Sequence, residues 1–187
     1  MKKSIVVLLL LIFFSCQTAL DKETYHKFQQ KGNDVSNLAQ STLLANVVKA
    51  IQQGGPEYAV EFCNLEVSGI TDSLNQINGV FISRVSAKNR NPLNGLQSPV
   101  DQKLWNIFEN SPQMDTVIQS NNKVFYYKRI NIAMPACLKC HGNPDSDLNE
   151  GTREILQTLY PHDLATGYQL NDFRGLWKIE FQKGEEF

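Results

Sequence analysis

Cys137-Leu138-Lys139-Cys140-His141 sets two thiols three positions apart and puts an imidazole directly after the second. A Cys-x-x-Cys-His run is the signature of c-type haem attachment. Two thiols add across the two vinyl groups of haem, and the two-residue gap matches the separation of those groups. The histidine that follows lies beneath the iron and supplies its proximal imidazole. Gly142-Asn143-Pro144-Asp145 breaks any helix after the motif, so the cluster is expected in a loop that begins at Pro135. Three other readings of the same residues stay open. Cys137 and Cys140 can pair as a structural disulfide in an oxidising compartment. They can form a thioredoxin-like redox pair, which wants its first cysteine at a helix N-terminus in a βαβ setting. With His141 and one more ligand they can hold zinc.

The N-terminus gives the compartment. Lys2 and Lys3 precede an apolar run from Ile5 to Phe14, which is too short to span a bilayer comfortably and fits a secretory signal. The run ends at Ser15-Cys16, and Leu11-Ile-Phe-Phe-Ser-Cys resembles a relaxed bacterial lipobox, in which the cysteine is acylated and becomes the first mature residue. Residues 1–15 are therefore read as signal peptide and 16–34 as lipid anchor and tether. The expectation is an exported protein, a periplasmic or outer-membrane-anchored lipoprotein of a Gram-negative bacterium. An ordinary signal with a stray Cys16, cut a little later, is the alternative. Haem is attached in this way outside the bacterial cytoplasm, so signal and motif support each other.

Composition bounds the remainder. The 187 residues suffice for one domain with a sizeable core, read as 35–187. At 42% hydrophobic and net charge -1 the chain is too apolar and too neutral for a disordered protein. The same balance argues against nucleic acid as a partner, since a nucleic-acid binder shows a basic surplus. One long apolar run rules out a multi-span membrane protein.

Along the chain, residues 17–34 are polar and read as tether plus a first helical stretch. Leu38, Leu43, Leu44, Val47, Val48 and Ile51 recur at helical spacing, and Gly54-Gly55-Pro56 ends that helix and starts another. The second helix carries Ala59, Val60, Phe62, Cys63, Val67 and Ile70 as an apolar stripe. Asn78-Gly79 is a turn before a strand from Val80 to Ser86, and a basic irregular loop follows from Ala87 to Gly95. Ser98-Pro99 starts a helix that buries Leu104, Trp105 and Phe108. After the Asn121-Asn122 turn, Lys123 to Ile132 is β-rich. A short helix spans about Glu150 to Leu159, and Gly175 to Phe181 forms a last strand with Trp177, Ile179 and Phe181 facing inward. The pattern is α+β, built on an antiparallel sheet.

Four cysteines are present, and three have roles in this reading, which leaves Cys63 on its apolar stripe. A free cysteine there is commonly a small buried hydrophobe. Yet an iron held by His141 has a second axial position to fill. His26 near the tether, His162 at a Pro-Asp turn, Met114 and Met134 are weaker candidates, although composition alone does not decide.

Several segments together carry a family resemblance: Ala59-Val60-Glu61-Phe62-Cys63, Arg84-Val85-Ser86 with Lys88 and Arg90-Asn91-Pro92, Cys137 to Gly142, and Tyr160-Pro161-His162-Asp163-Leu164-Ala165-Thr166-Gly167-Tyr168. The chain resembles the PAS-like c-type haem domain family, DUF3365, from about Val35 to Phe181. The segment from Leu93 to Asp101 is longer than that pattern. The resemblance implies a PAS-like antiparallel sheet flanked by helices, one covalent haem c, and axial ligation by His141 and Cys63. Arg84 and Arg90, with Lys88, are candidates to neutralise haem propionates, because guanidinium groups bind carboxylates in bidentate fashion; the alternative is a solvated strand end. Trp105 and Trp177 read as core or pocket wall.

The expected function is redox or small-ligand sensing, or one-electron transfer, through a His/Cys-ligated haem of low potential. Signal or electron passes to a separate redox or signalling protein, and the lipid anchor supplies the membrane contact. A small peroxidase-like haem enzyme with an open iron position, and a structural zinc-binding lipoprotein, are the alternatives.

Overall fold

A computed structural model describes residues 20–181. The expected signal segment and the expected acylation of Cys16 lie outside the described residues. The elements run α1 (Lys22–Leu65), α2 (Val67–Asn78), β1 (Val80–Val85), a 3-10 turn (Pro92–Asn94), α3 (Pro99–Glu109), β2 (Asp115–Ser120), β3 (Lys123–Asn131), α4 (Pro135–His141), α5 (Glu150–Leu159) and β4 (Phe173–Phe181). The strands form one antiparallel sheet in the order β1-β4-β3-β2. With five helices around it, the architecture is α+β, as expected. Among the described residues no helix is long and apolar enough to cross a membrane.

Alternation along the strands sends side chains to two faces, and helices cover both. Val80, Ile82, Tyr126, Trp177, Ile179 and Phe181 meet Val35 and Ala39 of α1 and Leu74 of α2. Val85, Tyr127 and Leu176 meet Leu104 and Phe108 of α3 on the other face. The last strand thus buries Leu176 as well as the inward set Trp177, Ile179 and Phe181. Asp101, the third residue of α3, closes a capping box with Ser98 and also takes the Lys178 ammonium and the Tyr127 hydroxyl.

Helix formation starts earlier than the apolar periodicity suggests. Asp21 caps α1 by accepting from the Thr24 N–H, and Tyr25 and Phe28 already pack against the sheet. The polar run 22–34 is therefore helical and continuous with the next segment. Gly54 and Gly55 do interrupt the helix, Gly55 at φ 78, a left-handed value that favours glycine. Pro56 restarts it, and a second break at Glu66 separates α2.

Two elements differ from expectation. The strand β2 precedes the Asn121-Asn122 turn and was not foreseen. Only Val117 of its six residues is buried, so its hydrophobic pattern is weak. Asn121 and Asn122 have φ of 51 and 60, the left-handed pair of a type I′ hairpin, which requires a strand on each side. The cysteine cluster, expected in a loop, sits on the seven-residue helix α4. Pro135 at its first position supplies a preset φ, and Gly142 ends it by donating to Leu138 O.

Candidate functional site

Helix α4 lies between two small apolar clusters. Cys140 packs with Val60 of α1, with Leu148 just before α5 and with Leu156 within it. Cys137 and Leu138 pack with Ile132, Ala165 and Tyr168. Cys63, one turn along α1 from Val60, is half-buried, and Cys63, Cys137 and Cys140 are all free thiols. Burial pushes the Cys63 thiol up, against the pull of Arg84 and Arg90. Burial likewise pushes Cys140 up to about 11, with Arg90 opposing it and Cys63 adding to it. Cys63 and Cys140 thus lie in one electrostatic neighbourhood, both within the influence of Arg90.

His141 ends α4. Its Nδ1 stands 2.7 Å from Ala165 O, and its ring meets the Tyr168 ring edge-on at 6.4 Å. A carbonyl only accepts, so Nδ1 carries the proton and Nε2 keeps its lone pair. Burial, reinforced by Arg90 and Arg174, holds the imidazole well below its ordinary value, so it is neutral at pH 7. A neutral imidazole fixed by its second nitrogen is the form in which histidine binds a metal.

The cations divide into engaged and unengaged. Arg90 pairs with Asp163 through Nε at 3.0 Å and through a terminal nitrogen at 2.9 Å, and it donates to Cys140 O at 2.5 Å. Lys88 donates to Thr166 O and stands 4.3 Å from the Tyr168 ring centre. Arg174 donates to Ser86 Oγ and Lys88 O. Arg84, opposite Trp177 in the β1/β4 register, has its guanidinium 5.8 Å from that ring centre, and burial, its largest influence, lowers its pKa, with Cys63 and Tyr160 as its titratable neighbours. Among the described residues neither Arg84 nor Arg174 has a carboxylate at ion-pair distance. Partly buried positive charge thus exceeds what Asp163 neutralises.

The other candidates fall elsewhere. His162 is exposed, and Met114 is exposed beside β2. His26 is exposed on the first turns of α1 and approaches Gln29. Met134 is the N-cap of α4. Trp105 packs on Phe173 at 4.6 Å on the α3 side of the sheet, whereas Trp177 lies in the α1-side core with the Arg84 guanidinium over its ring. Among the described residues no three His, Cys, Asp or Glu side chains converge to hold a bare metal ion. Sequence reasoning assigned no role to Asp163, Ala165, Tyr168 or Arg174. The Pro-Asp turn at His162 and the segment from Tyr160 to Tyr168 mark that loop in the sequence, but not its contact with His141.

The Tll0287-like family model matches residues 17–181, and the chain belongs to that family. The fold is similar to the crystal structure of the cyanobacterial haem protein Tll0287, with a TM-score of 0.63 at 20% identity over 90% of this chain and 100% of that one. No curated protein matches the chain.

Proposed function

We propose that this chain is an exported monohaem c-type protein, lipid-anchored through Cys16, that serves in redox or small-ligand sensing or in one-electron transfer. Cys137 and Cys140 hold the haem as thioethers, and His141 and Cys63 are its axial ligands. When bound, the group supplies a metal centre that changes oxidation state by one electron or exchanges a ligand. The observation that carries the reading is the His141–Ala165 hydrogen bond, which leaves Nε2 as the available donor beside two free thiols. The unpaired guanidinium of Arg84, next to Cys63, suits a propionate. Arg90, proposed with it from sequence, is already committed to Asp163, so the propionate role falls to Arg84. The antiparallel sheet flanked by helices supports a PAS-like description. A zinc site lacks a convergent donor set among the described residues, and a peroxidase-like enzyme would want His162 in the site rather than exposed.

The axial assignment is tested by Cys63→Ala. A coordinating metal deprotonates a thiol and offsets the cost of burying its charge. The variant should keep covalent haem, shift the ferric spectrum, raise the reduction potential and open the iron to carbon monoxide or imidazole. A wild-type ferric spectrum and potential would leave Cys63 a core residue and turn attention to Met134 or His162.

A further inference from the structure

The loop from Tyr160 to Tyr168 is bound to α4 by a set of contacts that converge on one residue. Tyr168 N–H donates to His141 O at 3.0 Å, and Gly167 N–H donates to Gly142 O at 2.8 Å. Asp163 Oδ1 accepts from Ala165 N–H at 2.8 Å, and this turn aims Ala165 O at His141 Nδ1. Arg90 closes the set. Its Nε and one terminal nitrogen hold Asp163 Oδ2, and that same nitrogen reaches Cys140 O at 2.5 Å and Ala165 O at 3.4 Å. One guanidinium therefore touches the carbonyl just before His141, the carbonyl that accepts from His141, and the carboxylate that shapes the turn between them.

The last carbonyls of a helix have no partners within it, and α4 has only seven residues to hold itself together. Those of Cys140 and His141 are satisfied by Arg90 and by the loop. A planar fork suits this task because Nε on Asp163 fixes the plane in which the terminal nitrogen reaches the two carbonyls, whereas a lysine ammonium has no second nitrogen to hold its orientation. Arg90 and Asp163 are both mostly buried, with side-chain exposures of 13% and 10%, so the pair is weakly screened by solvent.

We infer that Arg90 and Asp163 form a latch that positions His141: they fix the loop carbonyl that orients its imidazole and thereby set its strength as a metal donor. They are positioning residues, and the inference rests on the haem reading above. A hydrogen bond from Nδ1–H to a carbonyl makes the imidazole a stronger donor and favours the ferric state, so loosening it raises the potential. A purely electrostatic effect of Arg90 has the opposite sign, since removing a positive charge near iron favours the ferric state and lowers the potential.

The experiment compares wild type, Arg90→Gln, Arg90→Lys and Asp163→Asn, each matured with covalent haem, by redox titration. The latch predicts that all three shift the ferric-to-ferrous ratio at a fixed ambient potential toward ferrous. The expected shift for Arg90→Gln is about tenfold, which is about 59 mV for a one-electron couple. Arg90→Lys, which keeps the charge, should also shift upward, and combining it with Asp163→Asn should add little, because the two act on one contact. A fall in potential for Arg90→Gln, or no change for Arg90→Lys, overturns the inference. Should Arg90→Gln fail to accumulate, Arg90→Lys carries the decision. Nitrogen NMR of the haem-free full chain separates the latch from the haem reading. His141 should be the fixed Nδ1–H tautomer in wild type and a tautomer average in Arg90→Lys, whereas averaging in wild type contradicts the latch whatever the pigment does.

Discussion

Asp101 has no exposed surface, and three partners make its charge tolerable: Lys178 at 2.9 Å, the Tyr127 hydroxyl at 2.7 Å and the Ser98 N–H at 3.1 Å. Burial alone would raise its pKa, but these bonds outweigh it and hold the carboxyl below the usual carboxylate range. Asp101→Asn leaves the Lys178 ammonium without its counter-charge and should cost about 3 kcal/mol, read by urea denaturation at pH 7. The sign of the pH dependence follows from the lowered value. The stabilisation is complete above the unfolded carboxyl value, about 3.9, and is lost as pH falls through the lower folded value. The gap between wild type and variant should narrow only below about pH 4. At the level of single residues the candidate groups are legible in the sequence and their supports are not. Cys137, Cys140 and His141 announce themselves by spacing. Ala165, whose carbonyl accepts from His141, has no side-chain chemistry to betray it, and Lys178 finds Asp101 across 77 positions of chain.

Helix α1 crosses the sheet at Gly32, where a Cβ would stand 2.3 Å from the Tyr126 ring. That close approach seats Val35 and Ala39 on the strands. Gly32→Ala should force the helix off the sheet and cost about 1–3 kcal/mol, measured as a lowered urea midpoint with an unchanged slope. Elements with a clean apolar period were legible: α3 with its Ser98-Pro99 start, α5, β1 and β4. Two others obeyed weaker signals. The strand β2 buries one side chain and is held by its hairpin, so only the turn chemistry of Asn121 and Asn122 points to it. The helix α4 is seven residues long, begun by Pro135, ended by Gly142 and stabilised by neighbours on both sides. A breaker directly after a motif fixes where a helix ends, not that it is absent.

For the whole molecule, two covered sheet faces divide the labour. The α3 face is a packed core around Tyr127 and Phe108, while Arg84 and Trp177 on the α1 face lead to Cys63 and α4. The α+β class and the antiparallel sheet followed from element order, but which strands neighbour one another did not, because long-range pairing leaves no local mark. The proposed anchor belongs at this scale as well. Acylation of Cys16 should place the mature protein in the membrane fraction and release it only with detergent, and Cys16→Ser should be soluble. Wild-type protein recovered without lipid and free of membranes would count against the anchor.

Covalent binding of pigment to the protein separates a c-type haem from every other reading of Cys137, Cys140 and His141. The full chain should be produced with a haem-attachment machinery, extracted with acid–acetone, and its spectrum recorded after denaturation. The wild type should keep a Soret band on the protein through extraction, and Cys137→Ala combined with Cys140→Ala should lose it, because no other pair of cysteines has the Cys-x-x-Cys-His spacing. A colourless wild type, or pigment that passes into the acetone, would contradict covalent haem attachment.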